Sequence, residues 1–148
     1  MLENEALRHV REHLGVPHYT SFFELVLFVE SFFECEGNKE IRQCPLCQNF
    51  YAISLLNAAG LPLNEAKGIY WLREAASQGF PKAQYNLSRH YEDGLGVTQD
   101  FGKAYELCEA AAAQGYDDAV SRLPYIRRKH RSHLAMMKTA EQLGSDDR

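Results

Sequence analysis

Leu7, Val10 and Leu14 recur at i, i+3 and i+7, which predicts an amphipathic helix over residues 4–14, stopped by Gly15 and Pro17. Ser21-Phe22-Phe23-Glu24 has the form of a capping box, in which the serine accepts the third helical amide and the glutamate reaches back. The helix it opens runs to about Cys35 and carries Phe22, Phe23, Leu25, Val26, Leu27, Phe28, Val29, Phe32 and Phe33, so nearly every side is apolar. That pattern predicts a buried central helix, ended by Gly37 and Asn38. Farther along, Ala83, Leu87 and Tyr91 stand at i, i+4 and i+8, Gly94-Leu95-Gly96-Val97 turns the chain, and Asp100 caps another helix. Lys103, Ala104, Leu107, Ala111 and Ala112 give that helix its packed side. Beyond Pro124, Ile126, Leu134 and Met137 supply one apolar side to a last helix over about 125–143. The pattern predicts an all-α chain of about seven or eight helices.

The chain also repeats itself. Shifted by 36 residues without a gap, Gln48 falls on Gln84, Gly60 on Gly96, Lys67 on Lys103, and Ala75-Ala76 on Ala111-Ala112. Gln78-Gly79 meets Gln114-Gly115, Ala83 meets Ala119, Asn64 meets Asp100, Phe80 meets Tyr116, and Leu87 meets Leu123. Each unit is a helix, a glycine turn and a capped second helix. Its alanines let two helix backbones approach, and Gly79 or Gly115 sits where a left-handed residue ends the helix. Pro81 suits the first turn of the helix that follows.

This unit resembles the Sel-one-like repeat, a relative of the tetratricopeptide repeat. Ala83, Leu87, Tyr91, Gly94, Gly96, Val97, Asp100, Lys103, Ala104, Ala111, Ala112 and Gly115 match one whole repeat, with Leu107 at its tryptophan position. The preceding unit is degenerate in its first half, where Cys47, Tyr51, Leu55 and Ala58 replace the pattern, and good in its second, with Lys67, Trp71, Ala75, Ala76 and Gly79. A third begins at Ala119 and Leu123 and is cut by Pro124, with Arg127 in the tyrosine place. The resemblance covers about residues 47–123 and implies an all-α superhelix, or α-solenoid, that binds other proteins and is not an enzyme. It implies repeats at 44–123 (about 47–82 and 83–118, and a partial third from 119); since two repeats alone leave open ends, an N-terminal helical cap at 1–43, which resembles nothing recognised, and a C-terminal capping helix and tail at 124–148 are expected to cover them. These would form one compact domain. Stacked helix pairs of this kind expose a concave surface built from the first helix of each pair. On it the candidate partner-binding residues are Gln48, Gln84, Tyr85, Ser88 and Arg89. Small bacterial proteins of the family act as adaptors, signalling partners or toxin-neutralising partners.

Charge adds a second candidate surface. The net charge is −4, yet residues 122–138 hold Arg122, Arg127, Arg128, Lys129, Arg131 and Lys138 and no acid, so the remainder carries −10. A docked last helix would present Arg127, Arg128 and Arg131 to a partner. The acidic body and the lack of interleaved aromatics beyond Tyr125 argue against nucleic acid. No apolar run reaches the ~20 residues of a membrane span. The start lacks the basic region of a signal peptide, which leads us to expect a cytoplasmic protein; a homo-oligomer stays open.

Candidate chemistry is sparse. Cys44-Pro-Leu-Cys47 with Cys35 invites a zinc site, with His9, His13 or His18 as a fourth ligand, but a structural zinc site has two close pairs and this chain has one. Cys47 also holds a small core position of the repeat. A dithiol is the other reading, because Cys44 would sit at a helix N-terminus, where a thiol ionises more readily. A metal- or redox-sensing regulator using Cys35, Cys44 and Cys47 is thus the alternative to an interaction module. His130 and His133 fall within the basic run and add to it. No phosphate loop, nucleophile elbow or paired carboxylate is present, so neither catalysis nor a cofactor is expected.

Overall fold

In the computed structural model of the protein, residues 21–34 and 39–145 are described, together with 8, 12 and 15. The helices are α1 (Phe22–Glu34), α2 (Lys39–Gln43), α3 (Pro45–Leu56), α4 (Glu65–Ser77), α5 (Pro81–Asp93), α6 (Phe101–Ala113) and α7 (Asp117–Ser145). No strand occurs among the described residues, and the fold is the all-α repeat architecture that the sequence predicts. Arg8 and Glu12 are helical. Leu7, Val10, Leu14, Pro17, Cys35, Gly37, Asn38, His9, His13 and His18 lie outside the described residues.

The chain divides into two compact units, Met1–Ala83 and Gln84–Arg148. The division falls at the boundary between the two repeats. Helix-pair repeats make most of their contacts within the pair and with immediate neighbours, so they separate there.

In the first unit the capping box forms as predicted. Ser21 Oγ accepts the Glu24 amide at 3.2 Å, and the Glu24 carboxylate accepts the Ser21 amide at 2.9 Å. The Ser21 backbone N–H, then its hydroxyl, holds the Glu24 carboxyl below its ordinary range. Of the described apolar side chains of α1, Val26, Val29 and Phe33 are buried and Leu27 is exposed. The buried face is set by the ring cluster beneath it. Phe33 stacks on Tyr51 with centroids 4.5 Å apart and meets Trp71 edge-on at 4.7 Å. α3 then packs along α4, whose Gly68 leaves room for Leu56; a Cβ at Gly68 would stand 2.6 Å from Leu56 Cγ.

The repeat logic recurs atom for atom. Asn64 Oδ1 accepts the Lys67 amide at 3.0 Å, and Asp100 Oδ1 accepts the Lys103 amide at 3.0 Å. The Asn64 amide donates to Leu55 O and the Asp100 amide to Tyr91 O, closing each loop onto the preceding helix. Gly79 (φ 81°) and Gly115 (φ 80°) end α4 and α6, and Phe80 and Tyr116 donate back to Ala75 O and Ala111 O.

One departure from the repeat is strained. Ala58 stands where the next unit has Gly94, and it keeps the left-handed backbone at φ 51°. An L-residue there costs roughly 1–2 kcal/mol, and glycine gives part of that back as greater freedom in the unfolded chain. Ala58→Gly should therefore stabilise by about 0.5–1 kcal/mol, read as a higher melting temperature by calorimetry; a lower one would mean that the methyl group packs.

Candidate interaction surface

In the second unit, α6 and α7 form an antiparallel pair. Near the turn, the Cys108 thiol donates to Ala119 O at 3.5 Å. Moving away from it, the Tyr105 ring stacks on His130 and the Phe101 ring meets His133, each with centroids 5.5 Å apart. Because α6 begins at Phe101, its cover of α7 ends near His133. At 1.5 Å per residue α7 spans about 43 Å and α6 about 20 Å. The stretch 134–145 therefore continues for about 18 Å beyond the end of α6.

Two expectations about this segment need correction. Pro124 does not cut the chain into a repeat fragment and a separate capping helix: α7 runs through it without a break. Pro124 is on the exposed side of α7, opposite Ala119 and Ile126, so the carbonyl that loses its amide partner can be hydrated. Leu134 and Met137, expected to dock the helix, are 44% and 50% exposed; only Ile126 of the three is buried, at 0%.

The side of α7 that meets α6 carries Ala119, Ile126, His130 and His133. At helical spacing the same side continues as Met137 and Ala140, flanked by Leu134 and Met136. Arg127, Arg131 and Lys138 fall along one edge of it at i, i+4 and i+11, and all three are exposed. Arg128 is also exposed, its guanidinium 5.7 Å from the Tyr125 ring centre, and Arg127 lies 5.9 Å from the Tyr105 ring centre. The arrangement is an apolar strip beside a basic edge, and both are open.

Arg122, the first cation of the basic run, does something else. It donates to both carboxylate oxygens of Glu92, at 2.9 and 3.1 Å, and Glu92 is only 6% exposed. Burial works against the guanidinium charge, but the Glu92 bond more than offsets it and holds the Arg122 pKa above its ordinary value. The buried Arg122 Nε has no hydrogen-bond partner among the described residues. Glu92 stands four residues after the buried Ser88, on the packed side of α5, and that spacing is the sequence signal for its burial.

The residues expected on a concave face divide. Gln48 and Ser88 are 3% and 1% exposed, and Gln84 is 9%. Gln48 Oε1 accepts from Gln78 Nε2 at 2.8 Å, and Gln84 Oε1 accepts from Gln114 Nε2 at 2.9 Å. These are one bond repeated 36 residues later, tying the start of a first helix to the end of its partner helix. Gln48 also donates to Arg42 O. Both glutamines thus satisfy buried polar groups of the repeat. Ser88 is bonded to the Cys108 thiol, whose pKa burial pushes up. Tyr85 is half-buried against Tyr116, with centroids 5.5 Å apart, and Arg89 alone of the five is exposed.

Among the cysteines, Cys44 is the N-cap of α3 and half-exposed, and Cys47 is fully buried. No cluster of three or more metal-ligating side chains occurs among the described residues, and Cys35 lies outside them. No helix among the described residues is long and apolar enough to cross a membrane.

The Sel1 repeat family matches residues 45–80 and 81–116. A Sel1 repeat protein from Oxalobacter formigenes is similar in structure, with TM-score 0.61 and 25% identity over 70% of this chain and 42% of that one. A protective antigen of uropathogenic Escherichia coli with the same kind of fold gives TM-score 0.62 and 26% identity over 82% of this chain and 24% of that one. In sequence, chitin synthase regulatory factor 3 of Schizosaccharomyces pombe is 38% identical over 63 residues. That stretch is 43% of this chain and 7% of the fungal protein, so the chain spans less than a tenth of that relative.

Proposed function

We propose that this chain, which carries two Sel1 repeats over residues 45–116, is a non-catalytic adaptor that binds another protein through α7. The repeat is a protein-interaction scaffold, and a regulatory role is supported by the chitin synthase regulatory factor among its relatives. The observation that carries the proposal is the run of α7 past the end of α6, which leaves Leu134, Met136 and Met137 exposed beside Arg127, Arg131 and Lys138. A complementary partner is an amphipathic helix with carboxylates along one edge. Its apolar side covers the strip, and its acids meet the arginines. A second copy of α7 fits less well, because it would bring a second basic edge. Arg89 and Tyr85 belong to the proposal as a secondary contact. A cytoplasmic setting suits the thiol cysteines, and a bacterial one is supported by the two bacterial structures.

Reversing Arg127, Arg128 and Arg131 to glutamate tests this reading. Exposed ion pairs and ring contacts add only ~0–1 kcal/mol each, so the melting temperature should stay nearly unchanged. Proteins captured by the wild-type chain from extracts of its own cells should be lost from the variant, most clearly at low salt, where screening is weak. An unfolded variant would make the arginines structural. An unchanged set of captured proteins would place the binding surface elsewhere.

A further inference from the structure

We propose that Cys44 and Cys47 form a reversible disulfide across the first turn of α3, made by exchange with a low-molecular-weight disulfide such as oxidised glutathione. Cys44 is the N-cap, Pro45 is the first helical residue, and Cys47 is the third. The Gln48 amide donates to Cys44 O at 2.9 Å, so the turn is closed and the two Cα atoms lie about 5 Å apart by helix geometry. A disulfide needs roughly 4.4–6.8 Å. The two thiols already touch through a hydrogen bond, which, ahead of burial, pushes the Cys47 thiol up.

Access divides the work between them. Cys44 is half-exposed and meets the external disulfide, while Cys47 has no exposed surface and, among the described cysteines, meets Cys44. Helix N-termini favour thiolates, and no side chain caps this one. The Cys44 thiolate attacks one sulfur of oxidised glutathione, breaks its S–S bond and releases one glutathione thiolate, which takes up a proton. Cys47 then attacks the Cys44 sulfur, and its proton passes to the second glutathione, which leaves as a thiol. Two protein thiols are oxidised, and one small disulfide is reduced to two thiols.

Packing does not require this pair. One repeat later, Cys47 corresponds to Ala83, which fills its place with no exposed surface, and Cys44 corresponds to Phe80. Cys108 is the built-in contrast: it too is buried, but its thiol donates to a backbone oxygen and to no cysteine.

The test uses the full reduced chain, equilibrated over a series of oxidised-to-reduced glutathione ratios, alkylated and digested with trypsin. Cleavage after Arg42 and Lys67 yields one peptide that holds Cys44 and Cys47 and no other cysteine. As the oxidised fraction rises, that peptide should become lighter by two hydrogens and escape alkylation. Excess glutathione should reverse this, while the Cys108 peptide stays alkylated. Cys47→Ala should instead trap one glutathione on Cys44. If the wild-type peptide carries two alkylated cysteines at every ratio, or a stable glutathione adduct, the proposal is wrong.

Discussion

Leu72→Ala is expected to destabilise the protein by about 2–5 kcal/mol, among the largest effects that a single truncation can have here. Leu72 lies in the middle of α4 with no exposed surface, beside Ile69, Ala75 and Ala76, which are also buried. Removing its isobutyl group takes away transfer free energy and leaves a cavity between helices that glycine and alanine have already drawn close. Backbones this near one another collapse little, so the figure belongs toward the upper half of the range. Leu63→Ala is the matched control, because Leu63 is 59% exposed and should change stability by less than about 0.5 kcal/mol. Urea unfolding reads both. The Leu72 variant should shift the midpoint with little change in slope. Equal shifts for the two variants would mean that α4 is wrongly placed.

The second large effect concerns charge. Arg122→Ala leaves the Glu92 carboxylate, 6% exposed, without its cation. Removing one partner of a fully buried pair costs about 3–5 kcal/mol, but the Arg122 side chain is 39% exposed, so water screens part of the interaction. We expect a loss of about 2–3 kcal/mol. Replacing both residues, as in Glu92→Leu with Arg122→Met, should recover most of it, because the desolvated charge goes with its partner. A double-mutant cycle in thermal unfolding measures the coupling. Two single effects that simply add would mean that the Arg122–Glu92 ion pair contributes nothing to the fold.

The repeat was legible because its determinants are local. Asn64 and Asp100 cap helices through bonds to amides three residues away, and Gly79 and Gly115 supply a backbone conformation that few other residues adopt. Residue types at fixed spacing suffice to find such features. Partners at long range were not legible in this way. Gln48 and Gln84 read as surface amides, since nothing within a turn of either accounts for it; their partners Gln78 and Gln114 lie 30 residues on. The register itself held the clue, for a polar pair that repeats in both units serves the repeat before it serves a ligand. Arg122 was counted with the basic run on composition, although its role is set by Glu92 on another helix. Leu134 and Met137 were read as a docking face because an apolar stripe says which side a helix buries. It does not say how far the neighbouring helix extends, and α6 begins at Phe101, too late to reach them.

Placing a photo-activated cross-linking residue at Met137 tests the account most directly, with Leu95, exposed on the loop before α6, as the matched control. In living cells of the native host, irradiation should join the Met137 variant to a distinct protein of different mass, and the Leu95 variant should yield little or none of that product. Mass spectrometry should locate the cross-link in an acidic amphipathic segment of the captured protein. A product that forms from Leu95 and not from Met137, or one made only of two copies of this chain, would contradict the account.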